Sequence, residues 1–157
     1  MKYIHILILI LIAVTLHSCD KKVDKFPYTF LKTDVQFNKE GGNTTIISQS
    51  DEWTFGNCLL LDNQTINFPR CEEVFPDTEP QIQRAGTCSN DILTVKYDFM
   101  RKYLEPVQVE GSWFKLIKKT LKEASIVVSP NLSGKSRNFR VTVDPNGTTI
   151  VVTQYSE

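Results

Sequence analysis

Enzyme and metal chemistry falls mostly to His, Cys, Asp and Glu, and this 157-residue chain places those residues unevenly. Both histidines, His5 and His17, fall within the first eighteen residues, a segment whose pattern marks it for removal. A mature chain starting at residue 19 would hold no imidazole. That excludes Ser-His-Asp and Cys-His nucleophilic machinery, imidazole general bases and His-containing zinc sites, so no catalytic residue is assigned. Three of the four cysteines, Cys58, Cys71 and Cys88, lie further along at spacings of 13 and 17. Those spacings match no usual zinc pattern, and neither a metal nor a cofactor is expected. In an oxidising compartment two of the three would pair, leaving one thiol over. Cys71 with Cys88 is the preferred pair, closing a loop worth roughly 3 kcal/mol. Cys58 is then expected as a buried free thiol beside Leu59 and Leu60. Glu72, Glu73, Asp77 and Glu79 form an acidic run without the ordered spacing of a calcium loop, and it reads as solvated.

The fourth cysteine is explained by what precedes it. Lys2 gives a basic start, Ile4 to Leu16 an apolar run, and Leu16-His17-Ser18-Cys19 a processing site. The apolar run is shorter than the roughly 18 residues a membrane span needs, so residues 1–18 read as a signal peptide. Leu at −3, a small residue at −1 and Cys at +1 resemble the lipobox of bacterial lipoproteins, with His17 an unusual residue at −2. The resemblance implies that Cys19 carries lipid, palmitate among its acyl chains, and becomes the mature N-terminus. Two or more acyl chains, at about 0.8 kcal/mol per buried methylene, anchor a protein stably. The membrane is therefore one expected partner, and the cell envelope the expected location. The outer membrane, facing periplasm or surface, is the favoured site. Asp20 would signal inner-membrane retention under one sorting rule, which does not hold across all bacteria.

Lys plus Arg number 18 against 18 Asp plus Glu, with no basic stripe. That balance argues against nucleic acid as a partner. Residues 19–28 read as a lipid-anchored tether, and residues 29–157 are of ordinary size for one domain.

Within that domain the apolar pattern has period two, as in half-buried strands. Val35 and Phe37 alternate with Asp34, Gln36 and Asn38, and Gly41-Gly42-Asn43 makes a turn before Thr44 to Ser48. Trp53 and Phe55 alternate with Glu52 and Thr54, and Leu93, Val95, Tyr97 and Phe99 share a face. Residues 62–90, with Pro69, Pro76 and Pro80, read as irregular loop, and Met100 to Leu104 as a helical turn stopped by Pro106. Later strands are expected around Val107–Val109, Trp113–Ile117, Ser125–Val128, Phe139–Val143 and Thr148–Gln154, the last two joined at Asn146-Gly147, a strong hairpin signal. The expected fold is all-β: an antiparallel sandwich of seven to nine short strands.

Trp113-Phe114, Ile126-Val127-Val128, Asn131 to Gly134, Arg137 to Val143 and the closing Thr153-Gln154 resemble a BACON-type domain, as do Gly41 to Trp53. That family is Ig-like and occurs in exported lipoproteins and glycan-degrading systems of anaerobic bacteria. The resemblance spans roughly residues 30–56 and 110–155. It implies an Ig-like β-sandwich, with a long loop-rich insertion at about 58–110, and carbohydrate as a ligand class.

Trp53 and Trp113 could stack on sugars, but their alternating strands place both in the core. Phe68 and Phe75, among prolines and acids in the insertion, are the candidate ligand contacts; packing of the loop onto the sandwich is the competing role. The expected function is a non-enzymatic, lipid-anchored envelope binding module, with glycan as the leading ligand. The alternative is an assembly subunit that pairs with another envelope protein through a sheet edge.

Overall fold

The computed structural model describes residues 30–77, 82–145 and 147–157. The segments read as signal peptide and tether, with Cys19 and Glu79, lie outside the described residues. Among the described residues there is no helix, and eleven strands form two open sheets.

In chain order the strands are β1 (Asp34–Phe37), β2 (Gly42–Ile47), β3 (Thr54–Leu61), β4 (Gln64–Asn67), β5 (Gly86–Ser89) and β6 (Thr94–Met100). They continue as β7 (Tyr103–Glu110), β8 (Phe114–Lys118), β9 (Glu123–Val128), β10 (Arg137–Asp144) and β11 (Thr148–Gln154). One sheet runs β1-β11-β10-β3-β4 and the other β2-β9-β8-β7-β6-β5. The fold is a β-sandwich. Every pairing is antiparallel except β1 with β11, which is parallel. The parallel pair arises because the chain changes sheets: Phe30 bridges to Ser48 beside β2, and a few residues later β1 joins β11.

Period-two alternation builds the core, because successive strand side chains point to opposite faces. Phe139, Val141 and Val143 of β10, with Ile150 and Val152 of β11, are fully buried. Ile126, Leu116, Val109 and Val95 from the other sheet are buried with them. At the end of β11, the buried Gln154 takes a hydrogen bond from Arg137 (2.8 Å). Its amide donates to the carbonyls of Asn38, Lys39 and Ser129. Gln154 thus ties the end of β11 to two loops. Gly41 has positive φ, and a side chain there would run into the Val128 carbonyl.

Two local readings change and one holds. Met100 to Leu104 is not a helical turn. It is the end of β6, a two-residue turn at Arg101-Lys102, and the start of β7. Pro106 sits inside β7 opposite Tyr97, where the β6–β7 register shifts. A proline cannot donate to a ladder, and a bulge is where a strand tolerates one. Residues 62–90 are not continuous loop either, since β4 and β5 lie within them. Each of these four-residue strands buries a single side chain, Ile66 or Cys88, too little for a pattern to show. Finally, β10 and β11 form the expected hairpin, with Gly147 at φ +63°; Asn146 lies outside the described residues.

Candidate functional site

The residues singled out from sequence fall into two groups. Trp53 and Trp113 are buried. Trp53 meets Phe30 and Phe55 edge-on at 4.9 and 5.3 Å, and its indole N–H donates to the Leu121 carbonyl at 2.8 Å. The Arg137 guanidinium lies 4.4 Å above the Trp113 ring. Cys71, at the start of the loop, and Cys88, in β5, lie within disulfide-bonding distance, their Cα atoms 5.6 Å apart. Cys58 is only half-buried, contrary to expectation, because β3 turns Leu59 inward and Cys58 the other way.

The candidate contacts in the loop are largely occupied. Phe68 is 6% exposed and belongs to the core. Phe75, half-buried, stands edge-on to Tyr97 at 4.8 Å, with the Arg70 guanidinium 4.0 Å over its ring. Tyr97 in turn donates to the Pro69 carbonyl at 2.9 Å, and its burial pushes the phenol above its ordinary pKa. Phe68, Arg70 and Tyr97, with Asn57 and Asn67, leave only a shallow depression of about 200 Å³. Glu72, Glu73 and Asp77 are exposed, and no metal-ligating cluster occurs among the described residues.

A larger cleft, about 450 Å³, opens elsewhere, lined by Glu52, Thr54, Arg101, Tyr103, Asp144 and Pro145. Both sheets contribute. The β3–β10 ladder sets Asp144 opposite Thr54, and Glu52 lies two residues before Thr54. The β6–β7 hairpin supplies Arg101 and Tyr103. Tyr103 is 71% exposed, the most exposed aromatic ring among the described residues.

The hairpin turn is unusual for its sequence. Arg101 and Lys102 have φ of +52° and +76°. A two-residue turn with positive φ at both positions normally takes Asn-Gly or Asp-Gly. The other such turn here, Asp62-Asn63 between β3 and β4, follows that chemistry more closely. Left-handed backbone costs an L-residue with a Cβ roughly 1–2 kcal/mol, so Arg101-Lys102 needs outside support.

The support comes from beneath. Arg101 pairs with Glu105 at 3.1 Å, and Glu105 pairs with Lys118 at 2.7 Å. The Lys118 side chain has no exposed surface and that of Glu105 only 8%. Lys118 also donates to the Trp53 carbonyl and sits 4.6 Å over the Trp53 ring. Burial pushes the Lys118 ammonium below the ordinary lysine pKa, and Glu105 partly offsets this. A charge this deep is tolerated because it is paired and hydrogen-bonded. The effect is to fix Arg101, and with it the hairpin, against the core.

Sequence reasoning missed this site. The parity of Phe114, Leu116 and Lys118 marks Lys118 as inward-facing, a signal that was legible. Nothing local announces the turn, because Arg-Lys is not a turn dipeptide.

No family model matches the chain, and no curated protein matches it. Among solved structures, an NMR structure of a protein from Bacteroides thetaiotaomicron aligns with TM-score 0.52 and 10% identity, covering 83% of this chain and 82% of that one. That likeness is one of fold. A Bacteroides ovatus GH5 xyloglucanase in complex with a XXXG heptasaccharide aligns with TM-score 0.35 and 16% identity over 78% of this chain and 17% of that one.

Proposed function

We propose that this chain is a lipid-anchored, non-enzymatic binding module of the bacterial cell envelope, an Ig-like domain of BACON type that binds carbohydrate in the cleft beside Tyr103. The observation that carries the reading is the exposed Tyr103 ring at the rim of a cleft whose other side chains are mainly hydrogen-bonding groups. A pyranose presents an apolar face for stacking and a ring of hydroxyls for hydrogen bonds, and this lining offers both. Arg101, held from below, would meet the sugar without losing side-chain freedom on binding. Phe68 is packed in the core and Phe75 against Tyr97 and Arg70, so the cleft replaces them as the proposed site.

A second reading keeps the anchor and changes the partner. β2 is a six-residue edge strand without charge or proline, the devices that usually protect such edges. The Ile47 carbonyl accepts from Leu31 on the side away from β9, so by alternation Asn43 and Thr45 turn their backbone groups outward. An extended strand of another envelope protein could add there.

A glycan array run with wild type and Tyr103→Ala separates the two. Binding that disappears in the variant, with the melting temperature unchanged, supports the cleft. No glycan binding, together with cross-linked complexes in whole cells that Thr45→Pro removes, favours the edge. Metabolic labelling with a fatty-acid analogue, lost in Cys19→Ser, tests the anchor independently.

A further inference from the structure

Resting on the carbohydrate reading, we infer that the cleft selects a sugar bearing a free, positively charged amine. Three carboxylates and two cations gather at this end of the sandwich, and their pairing is uneven. Arg101 lines the cleft together with Glu52 and Asp144, yet it pairs with neither. It is drawn to Glu105, which Lys118 holds from the other side. Both cations are thus spent on one buried carboxylate. Glu52 and Asp144 are left without an ion-pair partner within 4 Å among the described residues. Lys102, the next residue of the turn, is exposed and does not line the cleft.

Two unmatched carboxylates beside an exposed aromatic ring form a receptor for an ammonium group. The carboxylates accept its hydrogen bonds, and the face of Tyr103 attracts the cation. A plain neutral sugar would satisfy the hydroxyl contacts and leave both carboxylates without an ion-pair partner. An acidic sugar would be repelled by them, because Arg101, Lys118 and Glu105 together leave one positive charge against the two carboxylates. An amino sugar supplies ring, hydroxyls and cation in one ligand. Acetylating its nitrogen removes the charge while keeping the ring, so the N-acetyl form is the natural control.

The experiment is an isothermal titration at about pH 6, where aliphatic amines are charged. The probes are glucosamine, N-acetylglucosamine and glucose oligomers of equal length. The free-amine oligomer should bind at least about tenfold more tightly than the other two. That preference should shrink as salt is raised, since exposed charge pairs are screened. Glu52→Gln and Asp144→Asn should each weaken only the amine oligomer, by about three- to tenfold. Glu73→Gln, at an exposed carboxylate that does not line the cleft, should change nothing. Both cleft carboxylates are exposed, so these variants should melt like wild type. The salt dependence of the unaltered protein gives the same answer without any variant. Equal binding of all three oligomers, or a salt-independent preference, overturns the charge inference and leaves carbohydrate binding standing. If none of the three binds and a wider glycan array is also blank, the carbohydrate reading itself falls.

Discussion

The loop that follows β4 and the hairpin between β6 and β7 use similar residues to opposite ends. Each brings an arginine and an aromatic ring to the surface of the sandwich. In the loop, Arg70 covers Phe75, Phe75 packs on Tyr97, and the proposed disulfide between Cys71 and Cys88 would fasten the assembly to β5. Both rings and Arg70 there are answered from within the chain. In the hairpin, Arg101 is anchored from below by Glu105, and Tyr103 stands clear of any ring partner among the described residues. Aromatic composition alone therefore does not mark a site. What separates the two regions is whether the polar and apolar faces are already matched.

The widest contrast should appear in stability. Phe68→Ala removes a core side chain and should cost up to about 5 kcal/mol, a fall of many degrees in melting temperature. Tyr103→Ala should stay within about 0.5 kcal/mol of wild type, because an exposed ring leaves no cavity. Paired thermal melts check both. A large loss in Tyr103→Ala would mean that the ring packs and is not free for a ligand.

The buried ion pairs come next. Glu105→Ala leaves Lys118 charged and buried without its counter-ion, and should cost about 3–5 kcal/mol in chemical denaturation. The pH dependence follows from the direction of the Lys118 shift. Its folded pKa lies below the unfolded value of 10.5, so between the two the unfolded chain holds more protons. Stability from this group therefore rises with pH through that window, and the cost of burying the charge is fully present below it. Lys118→Met should abolish that rise, read from denaturation midpoints across the alkaline range.

Much of this fold was legible because it rests on parity. Phe139, Val141 and Val143, then Ile150 and Val152, alternate so regularly that the closing hairpin could be drawn from the sequence. Trp53 and Trp113 followed from the same pattern. The disulfide-distance pair came from cysteine arithmetic and the compartment. Where parity carries little, the reading failed. β4 and β5 bury one side chain each, and the β6–β7 turn is made by Arg101 and Lys102, whose left-handed backbone no propensity suggests. The cleft was hidden for a further reason. Glu52, Arg101 and Asp144 are about fifty and forty residues apart in sequence, and only the pairing of β3 with β10 and the closure of the two sheets unites them.

A smaller effect tests the turn itself. Lys102→Gly relieves a positive φ, offset in part by the greater freedom of glycine in the unfolded chain. The net gain should be under about 1 kcal/mol, visible as a slightly higher denaturation midpoint. The matching change Asn63→Gly should do less, since asparagine tolerates this backbone already. Equal gains would remove the distinction between the two turns.

The most direct test of the cleft as the binding surface is a map of backbone amide shifts while the protein is titrated with glucosamine oligomer. Binding in the cleft predicts changes at Thr54, Arg101, Tyr103 and Asp144, with residues 68–75 unmoved. Changes centred on Phe68 and Phe75, with the hairpin silent, would contradict it.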